Sequence, residues 1–259
     1  MNNMDTRYIP RWLASIVQSL ELEQKKLVSV DDVQNLRPAS RAAARHAIAT
    51  LVRLGWLRPI GARGAYEFIP GAAAGPYPSG DPWLVLRAEL ERWPGKFHVG
   101  ANSAAWLLGY AQRAPRKHIV VTTPDFRAPV RLRSVYEVLS TEPAPASNTV
   151  SGLPVPTSAE LFVEVAQLAP RLKLDSAQGW LRRALADTTP EEIRKVLKDR
   201  GSSTWARAGY LAEVCGASDH AKAIAAIGRF EGGPFYTGHR STDGRFSSRW
   251  KVYDTGAVA

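Results

Sequence analysis

Apolar residues near the start of the chain recur at helical spacing. Trp12, Leu13, Ile16, Val17 and Leu20 predict a helix over residues 10–24 with one apolar stripe, and Pro10 suits its first turn. Val28 then leads into Ser29 and Asp32, spaced as a capping box for a short helix over 30–36 that buries Val33 and Leu36. Arg37-Pro38-Ala39 reads as a turn. A longer helix follows over 40–54, N-capped by Ser40 and closed by Gly55. Its inner face is Ala44, Ala47, Ile48, Leu51 and Val52. At about 100° per residue, Ala42, Arg45, His46, Ala49 and Arg53 lie opposite, with Arg41 at the edge in the first turn. Two short strands, 56–60 and 65–69, flank the turn 61–64, with Tyr66 and Phe68 alternating against Glu67. Helix, helix, turn, helix, hairpin is the order of a winged helix-turn-helix, with Arg63 at the tip of the wing.

The pattern then breaks. Residues 71–80 are small residues, glycines and prolines that can continue neither helix nor sheet, and they divide a first domain, 1–70, from a second, 81–259. In the second part, Asp81 as N-cap and Pro82 at the first helical position open a helix to about Trp93. A helix over 100–110 and strands over 117–122 and 134–140 come next. The proline-rich stretch 142–156 reads as a long surface loop. Helices near 157–169, 175–187, 190–199 and 203–215 follow, two of them opened by the capping boxes Thr157/Glu160 and Thr189/Glu192. The chain ends in an expected hairpin, 235–240 with 249–253, around Asp243-Gly244. The fold class is α+β: a winged helix-turn-helix followed by a larger α/β domain with a small sheet and several helices.

Charge adds an anionic partner to this picture. The chain carries 34 Lys and Arg against 24 Asp and Glu, a formal +10, with a pI near 9.9. The excess is spread evenly along the chain, so a nucleic-acid site has to come from arrangement. The third helix supplies one. Alanines between arginines make a narrow body with long cationic arms, as a helix entering a major groove requires. The candidate DNA contacts are Ser40, Arg41, Arg45, His46, Arg53 and Arg63. A possible second basic surface is Arg240, Arg245, Arg249 and Lys251, near His239, where a solvated hairpin is the plainer reading. A winged-helix interaction module, docking an acidic partner through its basic surface, stays open as the alternative.

Other chemistries find little support. Cys215 is the single cysteine, which excludes an intrachain disulfide and a cysteine zinc cage and suggests a buried thiol. Neither a phosphate-binding glycine loop followed by Lys-Ser/Thr nor a Gly-x-Ser-x-Gly elbow occurs. His46, His98, His118, His220 and His239 are scattered, none with a His or carboxylate at zinc-ligand helical spacing. A non-enzyme without metal or cofactor is expected, although a site assembled from distant residues stays open. With no signal-like apolar run and no candidate span, the expected location is cytoplasmic.

The run Leu51-Val-Arg-Leu-Gly-Trp-Leu57, followed by Arg63-Gly-Ala-Tyr-Glu-Phe-Ile-Pro70, resembles the N-terminal region of AbiEi-type antitoxins. Ser103-Ala-Ala-Trp-Leu-Leu-Gly109 and the helix start at Thr157–Leu161 resemble the second domain of the same family, in the same order. The resemblance implies the antitoxin and autorepressor half of an AbiE-like toxin-antitoxin system. It implies double-stranded DNA as partner, in the form of repeats in the chain's own promoter. It also implies a cognate nucleotidyltransferase-like toxin encoded nearby, and neutralisation carried by the second domain. Some proteins with this kind of N-terminal domain carry a nuclease behind it. The only Glu-x-Lys of this chain, Glu23-Gln24-Lys25, lies at the end of helix one, outside any nuclease core.

Overall fold

The computed structural model describes residues 8–36, 40–71, 81–142, 147–174, 177–227 and 230–255. The expected turn 37–39, linker residues 72–80 and residues 143–146 of the expected loop lie outside them. The chain divides into two compact units, residues 1–94 with 130–132, and residues 95–129 with 133–259.

The first unit begins with α1 (Arg11–Leu22), β1 (Leu27–Ser29), α2 (Val30–Leu36) and α3 (Arg41–Arg53). It continues with β2 (Leu57–Pro59), β3 (Ala65–Phe68) and α4 (Leu84–Arg92). Leu13, Ile16, Val17 and Leu20 of α1 pack with Ala47, Ile48 and Leu51 of α3, and Phe68 closes the core. Trp12, expected on that stripe, is 39% exposed instead. The capping box of α2 is formed: Asp32 N donates to Ser29 Oγ at 3.2 Å and Ser29 N to Asp32 Oδ2 at 2.7 Å.

The two expected strands gain a third. β1 pairs antiparallel with β3, giving the order β1-β3-β2. Three residues are too few for a periodic signal, so β1 was not legible. Glu67 also departs from expectation: it is 2% exposed, not turned to solvent. Arg58, opposite it in register, donates Nε–H to Glu67 Oε2 at 2.9 Å. α4, which packs against β1, belongs to this first unit, although residues from 81 onward were expected to open the second domain. Asp81 does not cap α4. Its Oδ1 accepts from Trp83 N at 2.9 Å in a turn before the helix. Glu89 of α4 is fully buried and forms an ion pair with Arg131.

In the second unit β4 (Phe97–Val99) pairs antiparallel with β5 (Ile119–Thr122), which pairs in parallel with β6 (Glu137–Ser140). α5 (Ala101–Leu107) and α6 (Val130–Val135) intervene, α6 sharing its first residues with the other unit. The expected surface loop 142–156 is corrected: it contains a hairpin of β7 (Asn148–Val150) and β8 (Leu153–Val155), with Leu153 and Val155 fully buried. Ser151 and Gly152 turn it with φ of +49° and +73°.

The helical half is α7 (Ser158–Leu168), α8 (Ala177–Ala186), α9 (Pro190–Leu197), α10 (Ser202–Val214) and α11 (Ser218–Ile227), the last not anticipated. Both expected capping boxes, on α7 and α9, are present. α7 lies in the middle of the core, with Leu161, Phe162 and Val165 fully buried.

The expected terminal hairpin is also corrected. β9 (Phe235–Tyr236) pairs with β11 (Val252–Asp254) in parallel, and β10 (Arg245–Ser247) forms the antiparallel partner of β11. Asp243-Gly244 is not the hairpin turn. A Cβ at Gly244 would stand 2.0 Å from Asp254 O, so the glycine serves a close backbone approach where β10 begins.

Candidate nucleic-acid interface

α3 carries four of the six expected N-terminal contacts, and a fifth, Ser40, is its N-cap. Its inner face, Ala44, Ala47, Ile48 and Leu51, is fixed in the core. Ala42, Arg45, His46, Ala49 and Arg53 are all exposed, as their spacing requires.

The cations on this face are not equivalent. Ser40 accepts from Ala43 N at 3.2 Å, so its hydroxyl serves as the N-cap. Arg41 donates to Asp31 of α2 at 2.7 Å, with both side chains more than half exposed. Such a pair contributes about 0–1 kcal/mol and opens readily. His46 stacks on Trp12 of α1, with ring centroids 5.7 Å apart and planes at 16°. Arg45 and Arg53 have no ion-pair partner among the described residues. Arg63 is exposed on a separate element, the β2–β3 turn, between Ala62, which is 6% exposed, and Gly64 at φ +73°.

The second expected surface is more heavily engaged. Arg249 pairs with Glu213 at 2.9 Å and lies 4.9 Å from the Trp250 ring centroid. Lys251 donates to Phe230 O at 3.0 Å. Arg240 lies over the Tyr236 ring, and Arg245 is exposed on β10. Two of the four side chains therefore hold the C-terminal sheet to its surroundings.

A buried cluster escaped the sequence reading. His98 Nε2 lies 2.5 Å from Glu164 Oε2, and Glu164 Oε1 accepts from Ala101 N at 2.8 Å. Both acidic and basic side chains are buried. A carboxylate from the middle of α7 thus serves the backbone at the start of α5. Nothing near His98 in sequence signals a partner on a distant helix. His118 accepts or donates at Ser103 Oγ over 3.3 Å and packs against Trp106. Burial holds its pKa below the usual histidine value.

Cys215 is buried as expected, 3% exposed, and burial pushes its thiol up to about 11. At pH 8 only about one part in a thousand is thiolate. The native thiol should therefore react with a disulfide reagent about a hundredfold more slowly than the unfolded one. Equal rates in buffer and in denaturant would show an open site.

A known family matches part of the chain. Residues 98–214 match the model of the AbiEi antitoxin C-terminal domain, so the chain carries an AbiEi-type antitoxin domain. The resemblance read in its α5 and α7 motifs holds, and the coarse function is that of an antitoxin in a toxin-antitoxin system. A crystal structure of the RV2827C protein from Mycobacterium tuberculosis is similar over 96% of this chain and 93% of that one, with 25% identity and a TM-score of 0.78. No curated protein matches the chain. Among the described residues, no helix is long and apolar enough to cross a membrane.

Proposed function

We propose that the first seventy residues are a winged helix-turn-helix that binds double-stranded DNA, and that the chain represses its own promoter as the antitoxin of an AbiE-like system. α3 is the recognition helix and the β2–β3 hairpin the wing. The observation that carries this reading is the outer face of α3. Arg45 and Arg53 stand exposed and free of ion pairs among the described residues, flanked by the small Ala42 and Ala49. Arg63 anchors the wing on a phosphate or in a minor groove. Arg41 joins by exchanging Asp31 for the DNA. Residues 81–259 carry neutralisation of a nucleotidyltransferase-like toxin encoded nearby, and the protein acts without catalysis, cofactor or membrane, in the cytoplasm. The engagement of Arg41 and His46 within the fold favours a second reading, an interaction module that docks an acidic partner and binds DNA without sequence preference.

A gel-shift titration on the chain's own upstream region separates the two. Arg45→Ala should cost about 1–3 kcal/mol of discrimination if Arg45 reads a base. If it holds a phosphate, affinity should fall on every sequence and the salt slope should shrink by about 1. An Arg41/Arg45 double alanine variant with unchanged operator affinity and salt slope would overturn the DNA site.

A further inference from the structure

A cavity of about 420 Å³ opens beside the C-terminal sheet, lined by Arg207, His239, Arg240, Phe235, Tyr236 and Pro170 among others. That volume falls in the range of small-ligand sites. Its charge is one-sided, because no carboxylate lines it among the described residues.

Arg207 is its best-defined group. It projects from α10, and its Nη1 donates to Ala166 O at 3.1 Å and Gln167 O at 3.0 Å, at the end of α7. These two carbonyls orient the guanidinium without neutralising it. Its Nε is fully buried and has no acceptor among the described residues. Burial draws its pKa down to about 10. No acidic side chain pairs with it among the described residues. A cation removed from water without a counter-ion is costly, and an anion in the cavity offsets that cost.

Part of the lining is aromatic. Arg240 Cζ lies 6.0 Å from the centroid of Tyr236, and Tyr236 stacks on Tyr253 at 5.7 Å with planes at 15°. The Tyr236 ring is therefore held in place by its neighbour, and the exposed Arg240 lies over it, so a planar ligand reaches the ring as Arg240 turns towards its phosphate. Two guanidiniums and a fixed aromatic ring lining one cavity offer complementary parts, one for a phosphate and one for a planar ring.

We propose that this cavity binds a 5′-nucleotide, with its phosphate on Arg207 and Arg240 and its base against Tyr236. The site does not depend on the DNA-binding reading of the first unit. Calorimetric titration of the full chain with 5′-AMP and 5′-GMP tests it, with adenosine and inorganic phosphate as partial probes. Saturable binding of one nucleotide per chain is expected, at least tenfold tighter than either partial probe. Arg240→Gln, an exposed change that leaves thermal unfolding unaltered, should weaken it tenfold or more. Arg207→Lys should retain more affinity than Arg207→Gln. The proposal fails if neither nucleotide binds saturably up to about 10 mM, or if Arg240→Gln leaves affinity unchanged. It fails equally if inorganic phosphate binds as tightly as 5′-AMP, which reduces the site to an anion hole. Displacement of 5′-AMP by a stoichiometric DNA duplex also overturns it, since the cavity then belongs to a nucleic-acid backbone.

Discussion

Replacing Glu164 by alanine should destabilise the second unit by about 3–5 kcal/mol, the range for breaking a buried hydrogen-bonded pair. The loss has two sources. His98 Nε2 and Ala101 N both reach Glu164, and both become buried donors without an acceptor. The site cannot relax around the vacancy easily. Gly100 already sits so close that a Cβ there would lie 2.6 Å from Glu164 Oε1, and Ala101 is held at φ +46°. That backbone shape is unfavourable for alanine and persists because its surroundings hold it. Glu164→Gln keeps an acceptor for Ala101 N and should cost less, about 1–3 kcal/mol. By thermal unfolding the alanine variant should melt roughly 6–20 °C lower, at about 2–4 °C per kcal/mol for a unit of this size. An unchanged melting temperature would mean that the cluster contributes nothing. Both members of the pair lie within the stretch that matches the antitoxin domain, His98 at its first residue and Glu164 well inside it.

The contrast between that cluster and the capping boxes shows what the sequence makes legible. Ser29/Asp32, Thr157/Glu160 and Thr189/Glu192 are local: both partners lie within one helical turn, and all three boxes form. The exposed face of α3 was legible for the same reason, since a 3.6-residue period needs no tertiary knowledge. Partners supplied by other elements were not. Asp31 on Arg41 and Trp12 on His46 each come from a neighbouring helix, and Glu164 reaches His98 from a distant one. Short strands fail differently. β1, β4, β7 and β8 have three residues each, too few for alternation, and Pro154 within β8 argues locally against a strand. Pro154 lies opposite Thr149 in a two-stranded ribbon, where a missing N–H is tolerated. At the C-terminus the expected strands overlap β9 and β11, but β10 and the pairing were missed, because Asp243-Gly244 imitates a hairpin signal while serving a close approach to Asp254.

These distinctions bear on which arginines can read DNA. Counting cations treats Arg41, Arg45, Arg53 and Arg249 alike. Their surroundings separate them. Arg249 is held by both Glu213 and Trp250, whereas Arg45 and Arg53 have no ion pair among the described residues to exchange. Releasing a guanidinium from a carboxylate subtracts from whatever a phosphate contributes. Under the proposed DNA-binding reading, the N-terminal face is thus favoured over the C-terminal one, although the net charge is similar along the chain.

Trp250→Ala should cost about 3–5 kcal/mol, the usual loss on removing a buried tryptophan. The ring is fully buried, donates Nε1–H to Glu213 Oε2 at 2.9 Å and meets Phe230 edge-on at 5.3 Å. It packs directly on the backbone of α10 at Gly209. A Cβ at that position would lie 2.0 Å from Trp250 Cζ3. This explains a glycine inside a helix, where it costs about 1 kcal/mol relative to alanine. Gly209→Ala alone should therefore destabilise by about 1–3 kcal/mol, because a rigid ring and a rigid backbone meet and neither is the far end of a flexible chain. In the Trp250→Ala background the same change should reverse sign, stabilising by roughly 0.5–1 kcal/mol through helix propensity alone. Urea unfolding of the four proteins in this cycle reads the reversal directly. Additive effects would show that the indole does not dictate the glycine, and that the C-terminal sheet is anchored to α10 by something other than Trp250.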